Sequence, residues 1–343
     1  MRKKALDGFL VTDIHNVRYL TGFSGSSGFL FVTGRENFFV TDFRYMEQAG
    51  KEIKNWDVVI ETGNRIKIIE SLSKKISVKE LGFESSVSYD FFRKISRIGI
   101  ALNPVQGLVE KLRELKDRAE LDSIREAVRR AEAAFIEVRP YIKKGAKEIS
   151  IALKLQERLK RNGCNSVPFD IIVASGPNSA MPHARPTERR FVEGDLIIID
   201  WGGEADGYYS DMTRTLLIKG GPGLGRKQEV YRTVLEANRK AIACVTPGVR
   251  SKELDETARD VIRRAGYGEF FGHGTGHGVG IQVHEAPRIS WNKSERVREN
   301  MVFTIEPGIY LPNVGGVRIE DMVLVGEKGP QVLTSLNKNL GIV

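Results

Sequence analysis

From residue 8 to about residue 105 the chain alternates short apolar runs with polar turns. Phe9-Leu10-Val11, Gly28-Phe29-Leu30-Phe31-Val32 and Phe38-Phe39-Val40-Thr41 are rich in aromatic and β-branched residues and read as strands. Helices are expected near 45–52 and 64–75, with another strand at Leu81-Gly82-Phe83, the pattern of a small α/β domain. A different period takes over at Asp117. Leu121, Ile124, Val128, Ala131, Phe135, Val138 and Ile142 follow in steps of three and four, which predicts one long amphipathic helix. Asp117 with Glu120 makes a capping signal at its start, while Lys143, Lys144 and Gly145 suit its end. The stripe is a core-facing surface and marks the start of a second domain. The expected boundaries are 1–113 and 114–343.

Past that helix the pattern predicts a second helix ending near Gly163 and apolar strands at Ile171-Ile172-Val173 and Leu196-Ile197-Ile198-Ile199. Helices are expected around 228–245 and 252–265, then strands at 301–305 and 317–325. Strands and hairpins interleaved with helices define an α+β domain. With 343 residues, two domains are also the natural division on length alone.

Composition changes this picture little. The chain is 41% hydrophobic and 28% charged, as in ordinary globular proteins. Asp13 and His15 interrupt the short apolar stretch near the N-terminus, so neither a signal peptide nor a membrane span is expected. Cys164 and Cys244, in helix-like segments, lack the spacing of a zinc site or a disulfide framework, which fits a reducing cytoplasm. The net charge of +9 is spread through mixed segments such as Glu110-Lys111-Leu112-Arg113-Glu114. Nucleic-acid binders carry a clustered basic stripe with interleaved aromatics, so no nucleic-acid partner is expected.

The chemistry lies in the second half. Asp200 ends a buried-looking strand and Asp211 stands on the next, with Trp201-Gly202-Gly203 and Asp206-Gly207 as turn residues between them. A symmetric hairpin sets the two aspartates opposite each other. Glu306 and Glu320 repeat the arrangement around Pro312-Asn313 and Gly315-Gly316. Opposed side chains on paired strands have Cβ atoms roughly 4.5–5.5 Å apart. Carboxylates that close repel, and one keeps a proton unless a cation neutralises the pair. Of five histidines, three (His273, His277 and His284) fall in one glycine-rich window whose alternating glycines argue against a helix and permit close backbone approach. The window has no Gly-x-Gly-x-x-Gly register. The run Gly220-Gly221-Pro222-Gly223-Leu224-Gly225-Arg226-Lys227 lacks the Ser/Thr of a phosphate loop, and His284-Glu285 lacks the second histidine of a zinc helix.

With these residues in view, the sequence resembles the pita-bread metallopeptidases of family M24, in their aminopeptidase P and prolidase branch. Six ordered motifs carry the likeness across essentially the whole chain. They are Ile199-Asp200-Trp201-Gly202, Ser210-Asp211-Met212-Thr213-Arg214, His273-Gly274-Thr275-Gly276-His277, Val283-His284-Glu285, Thr304-Ile305-Glu306-Pro307-Gly308 and Gly316-Val317-Arg318-Ile319-Glu320-Asp321. The resemblance implies a creatinase-type α/β N-terminal domain before a pita-bread catalytic domain, in a homodimer. It further implies that Asp200 and Asp211 bind one metal, that His277 and Glu306 complete a second site, and that Asp211 and Glu320 bridge. Four acids and one imidazole form an oxygen-rich set that favours Mn²⁺, with Co²⁺ or Zn²⁺ as alternatives. His183 and His284 match catalytic histidines, Glu306 the proton acceptor, and His273 and Arg318 substrate-binding positions. The implied reaction is hydrolysis of the bond before a proline, with proline-containing peptides as substrates. The sequence departs from the family before Asp7, where an N-terminal helix is nearly absent.

Three rivals are set against this expectation. A creatinase-like hydrolase of carbon–nitrogen bonds, or a non-catalytic pita-bread binding module, loses metal ligands, and none is lost here. Methionine aminopeptidases do not normally carry such an N-terminal domain.

Overall fold

The computed structural model of the protein describes residues 6–343. The departure expected at the chain start falls mostly on Met1–Ala5, outside the described residues. The chain divides into two compact units, Met1–Arg113 and Glu114–Val343.

In the first unit, β1 (Gly8–Val11), β2 (Phe29–Thr33), β3 (Asn37–Asp42), β4 (Asp57–Glu61), β5 (Glu80–Glu84) and β6 (Ala101–Val105) form one mixed sheet of order β4-β3-β2-β1-β5-β6. Helices α1 (Ile14–Thr21), α2 (Met46–Glu52), α3 (Arg65–Lys75) and α4 (Tyr89–Ile95), and the single turn α5 (Glu110–Arg113), complete it. The apolar runs are continuous because both faces of the sheet are covered. Phe9, Val11, Leu30 and Phe39 pack into one cluster, while their neighbours Leu10, Phe29, Phe31, Phe38 and Val40 pack into another.

The second unit opens with α6 (Arg118–Val138), whose capping box between Asp117 and Glu120 is formed as expected. The helix is shorter than its apolar stripe. Pro140 lies in a following 3₁₀ turn, Arg139–Tyr141, and a proline has no N–H to continue an α-helical ladder. Ile142 remains buried although it has left the helix. Helix α7 (Glu148–Arg161) packs with α6 over a sheet of order β19-β11-β8-β7, made by β7 (Ile172–Ser175), β8 (Leu196–Trp201), β11 (Met212–Leu217) and β19 (Gly341–Ile342). A small hairpin, β9 (Glu204–Ala205) and β10 (Tyr208–Tyr209), joins β8 to β11. Cys164 lies buried just beyond α7 and Cys244 caps the end of α8 (Leu224–Ala243), so neither is within a helix proper.

A second sheet, of order β13-β12-β14-β17-β18, combines β12 (Gly276–Gly278), β13 (Glu285–Ile289), β14 (Val302–Ile305), β17 (Asp321–Gly326) and β18 (Gly329–Val332). The hairpin of β15 (Gly308–Leu311) and β16 (Gly315–Arg318) lies between β14 and β17 in the chain. Helices α8 and α9 (Ser251–Arg264) bury Val230, Val234, Leu254 and Ala258 with Phe303, Ile305 and Val323. The segment read as one strand over 317–325 is two strands. The break falls at Ile319 and Glu320, where Glu320 donates its N–H to the Thr213 carbonyl at 3.2 Å instead of continuing one ladder.

Candidate active site

Alternation along the strands places the functional side chains. Ile197, Ile199 and Trp201 pack beneath α6 and α7, so Asp200 points to the opposite face of β8. Its register partner is Thr213, not Asp211. The two-residue turn Asp206-Gly207, both with positive φ, sets the centre of the hairpin and shifts it from the symmetric expectation. Asp211 therefore sits diagonally from Asp200, two residues before Thr213 and on the same face. The glutamates follow the expected register. Ile305 faces Asp321 on one side of them and Gly308 faces Arg318 on the other, so both ladders are centred on residue 313.

The glycine-rich window supplies close approach as expected. A Cβ on Gly276 would lie 1.9 Å from the Thr304 carbonyl oxygen, and one on Gly278 would lie 2.1 Å from that of Ala286. Only glycine lets β12 seat His277 this near its neighbours.

One cavity of about 720 Å³ gathers His183, Asp200, Asp211, His273, His277, His284, Glu306, Arg318 and Glu320. Asp211, His277 and Glu320 offer ligand atoms that all lie within 4.8 Å of one another. His277 Nε2 stands 3.2 Å from Glu306 Oε1 and 3.6 Å from Asp211 Oδ2. His277 Nδ1 lies 3.2 Å from the Gly278 carbonyl, which only accepts, so a proton is assigned to Nδ1, and Nε2 is the ring atom that faces the carboxylates. Asp200 Oδ2 pairs with Arg318 Nη2 at 2.6 Å, while its buried Oδ1 has no partner among the described residues.

This crowd of acids shifts its own protonation. Burial, then the charges of Glu320 and Asp200, push the Asp211 carboxyl well above the ordinary range. Glu320 is pushed well up by burial and by Glu306 and Asp200. Burial also raises Asp200, against the opposing pull of Arg318. Glu306 feels the same burial, but the hydrogen bond and charge of His277 bring it down to about 2. Such a cluster lacks positive charge. The partnerless Asp200 oxygen, the converging Asp211, His277 and Glu320 atoms and the imidazole Nε2 fit a bound divalent metal.

Neighbouring hydroxyls hold the acids in place. Thr213 Oγ1 donates to Glu320 at 2.7 Å and Thr304 Oγ1 donates to Glu306 at 3.0 Å. Arg318 Nε donates to Thr213 Oγ1 at 3.1 Å and Nη1 to the Tyr310 hydroxyl at 2.9 Å. Tyr310 in turn donates to His273 Nε2 at 2.9 Å, because His273 Nδ1 is committed to the Gly274 carbonyl. Burial lowers the His273 pKa, in keeping with a neutral ring. Burial, then the charges of His277 and Arg288, lower His284 to about 4. Thr213, Thr304 and Tyr310 were not singled out from sequence. The threonines carried a signal, since each stands two residues from a candidate ligand and so shares its strand face. Arg185, Arg288 and Lys293 also line the cavity, and nothing in their spacing marked them.

A buried carboxylate–imidazole cluster flooring a cavity defines the centre of a metal-dependent hydrolase. The profile of metallopeptidase family M24 matches residues 122–327, and that of the creatinase/prolidase N-terminal domain matches residues 1–115. The chain belongs to metallopeptidase family M24. A Xaa-Pro dipeptidase of Pyrococcus horikoshii is 37% identical over 345 residues, covering 99% of this chain and 96% of the relative. The structure of a Xaa-Pro dipeptidase from Bacillus anthracis superposes with a TM-score of 0.96 at 37% identity, covering 100% of this chain and 96% of that one. An X-Pro aminopeptidase from Thermotoga maritima gives a TM-score of 0.91 at 36% identity, with 100% of both chains covered. The creatinase-type domain and the pita-bread catalytic domain expected from sequence are the fold found.

Proposed function

We propose that this chain is a two-metal Xaa-Pro peptidase in which Asp200, Asp211, His277, Glu306 and Glu320 hold the ions, Mn²⁺ first among them. The observation that carries the reading is the convergence of these five side chains with His183, His273 and His284 in one cavity. When bound, such ions polarise the peptide carbonyl and lower the pKa of a bound water toward neutrality. The protein supplies the rest. Glu306 Oε1 is held by Thr304, which fixes its carboxylate as the proton acceptor. His284, neutral near pH 7, would offer an N–H to the oxygen that gains charge, and His183, which lines the same cavity, would serve the leaving nitrogen. A proline nitrogen has no N–H before cleavage, so the site needs no acceptor there and selects by ring fit.

Three of the four cations lining the cavity, those other than the Asp200-paired Arg318, favour the shorter substrate. Arg185, Arg288 and Lys293 form no ion pair among the described residues. In a Xaa-Pro dipeptide the free carboxylate lies one residue beyond the scissile bond, within the same cavity, where a guanidinium can grip it. We therefore read the chain as a dipeptidase first and an aminopeptidase second. Hydrolysis of Ala-Pro and Ala-Pro-Ala by the Mn²⁺-loaded protein tests this: Ala-Pro should be cleaved faster, and a preference for the tripeptide would reverse the assignment. Among the described residues no helix is long and apolar enough to cross a membrane. The homodimer implied by the family likeness and the cytoplasmic setting expected from the cysteines go with the proposal, and equilibrium sedimentation tests the dimer.

A further inference from the structure

Glu148, the first residue of α7, is fully buried and has no Lys or Arg at ion-pair distance among the described residues. Its charge is met by neutral donors alone. Oε1 accepts from the Ser175 N–H at 2.7 Å and the Ser175 hydroxyl at 2.7 Å. Oε2 accepts from the Thr187 N–H at 3.0 Å and the Thr187 hydroxyl at 2.6 Å. Asn178 Nδ2 bridges both oxygens at 3.1 Å. Ser175 and Thr187 are the two ends of the loop that carries Met181-Pro182-His183. One carboxylate thus ties the base of the loop shut, while Arg318 Nη1 donates to the Pro182 carbonyl at 3.1 Å near its tip. The loop needs such a tie. Met181 and His183 are exposed, and beyond the 3₁₀ turn at Gly176–Ala180 its path to Thr187 has no regular structure.

We propose that Glu148 is a positioning residue of the reaction, whose carboxylate sets where the His183 imidazole meets the substrate. The inference rests on the peptidase reading for its kinetic consequence. A charged acceptor suits the role because four of the donors come in pairs, one pair at each end of the loop. In Glu148→Gln one oxygen becomes an NH₂ group, which must face the backbone N–H of either Ser175 or Thr187. Hydroxyls can turn to accept, but a backbone N–H cannot, so the side chain loses its grip on one end of the loop, which the remaining backbone bonds of Ser175 and Thr187 hold less closely.

Three measurements separate positioning from simple stabilisation. In Glu148→Gln, kcat on Ala-Pro should fall about 10- to 100-fold with bound metal unchanged, since a misplacement near 1 Å costs on that order. In the His183→Ala background the same change should alter kcat by less than about 2-fold, because the group it positions is gone. An equal loss in both backgrounds overturns the proposal. The crystal structure of Glu148→Gln should show His183 displaced by about 1 Å or more, with Asp211, His277 and Glu320 in place. An unmoved His183 overturns the proposal whatever the activity, so this result stands apart from any failure of the peptidase reading. Thr187→Val removes only the Oγ1 donor and should show the same kinetic pattern at smaller amplitude if Glu148→Gln does not fold. Unchanged kcat in that variant counts against the proposal.

Discussion

Replacing Arg318 by methionine should destabilise the metal-free protein far more than the metal-loaded one. The guanidinium is buried and makes four hydrogen bonds, to Asp200, Thr213, Tyr310 and the Pro182 carbonyl. Without metal it is the partner that Asp200 has, since the second Asp200 oxygen is already bare. Removing one member of a buried ion pair costs about 3–5 kcal/mol. Part of that is relieved because Asp200, its pKa already raised by burial, can take up a proton. At roughly 2–4 °C per kcal/mol for a unit of this size, the full cost would lower the melting point of the chelated protein by about 6 to 20 °C, and the relieved cost by less. Bound divalent ions give Asp200 other positive charge, so in Mn²⁺ the drop should shrink to less than about half. Differential scanning calorimetry of both proteins, with EDTA and with saturating Mn²⁺, measures the difference. An equal drop in the two conditions would show that Arg318 acts only as packing, and would refute the electrostatic reasoning.

Other consequences are as specific. Asp211→Asn should abolish activity and lower metal stoichiometry measured by atomic emission, because it removes a charge from the Asp211–His277–Glu320 cluster; full metal content in that variant would contradict its assigned place. Metal binding should release protons. The folded pKa values of Asp211 and Glu320 lie above their unfolded values, so the metal-free folded state keeps protons that the unfolded chain has lost. Stability of the metal-free protein should therefore fall as pH rises from the ordinary carboxylate range through those folded values. Calorimetric Mn²⁺ titrations in buffers of different ionisation enthalpy should show this release, and it should be no smaller near pH 6 than near pH 8. Arg288→Met should raise KM for Ala-Pro about 10-fold or more while leaving Ala-Pro-Ala within about 3-fold, the loss of one charge-assisted pair; equal losses on both peptides would remove Arg288 from carboxylate recognition.

Much of this architecture was legible because it is local. Apolar runs in the first unit have alternate residues on two covered faces, and the glycines of the histidine window stand where a Cβ meets a carbonyl at about 2 Å. The Glu306 and Glu320 register followed from the midpoint of their loop. The aspartate register did not, because the Asp206-Gly207 turn outweighs symmetry between functional residues. That signal was in the sequence. The end of α6 at Val138 was legible too, since Pro140 outweighs an apolar stripe that runs on to Ile142. What periodicity does not reach is long-range. His183 comes to the site on an irregular loop, and its place depends on Arg318 and Glu148, distant in sequence. The break at Glu320 likewise depends on the Thr213 carbonyl of the other sheet.

If two metals held by these five side chains hydrolyse the bond before proline, activity must follow the occupancy of both sites. Stepwise addition of Mn²⁺ to the chelated protein, with bound metal and Ala-Pro hydrolysis followed in the same samples, tests it most directly. Activity should reach its plateau only as the second equivalent binds, and Ala-Ala should be left uncut. Full activity without metal, saturation with no more than one ion, or equal cleavage of Ala-Ala would contradict it.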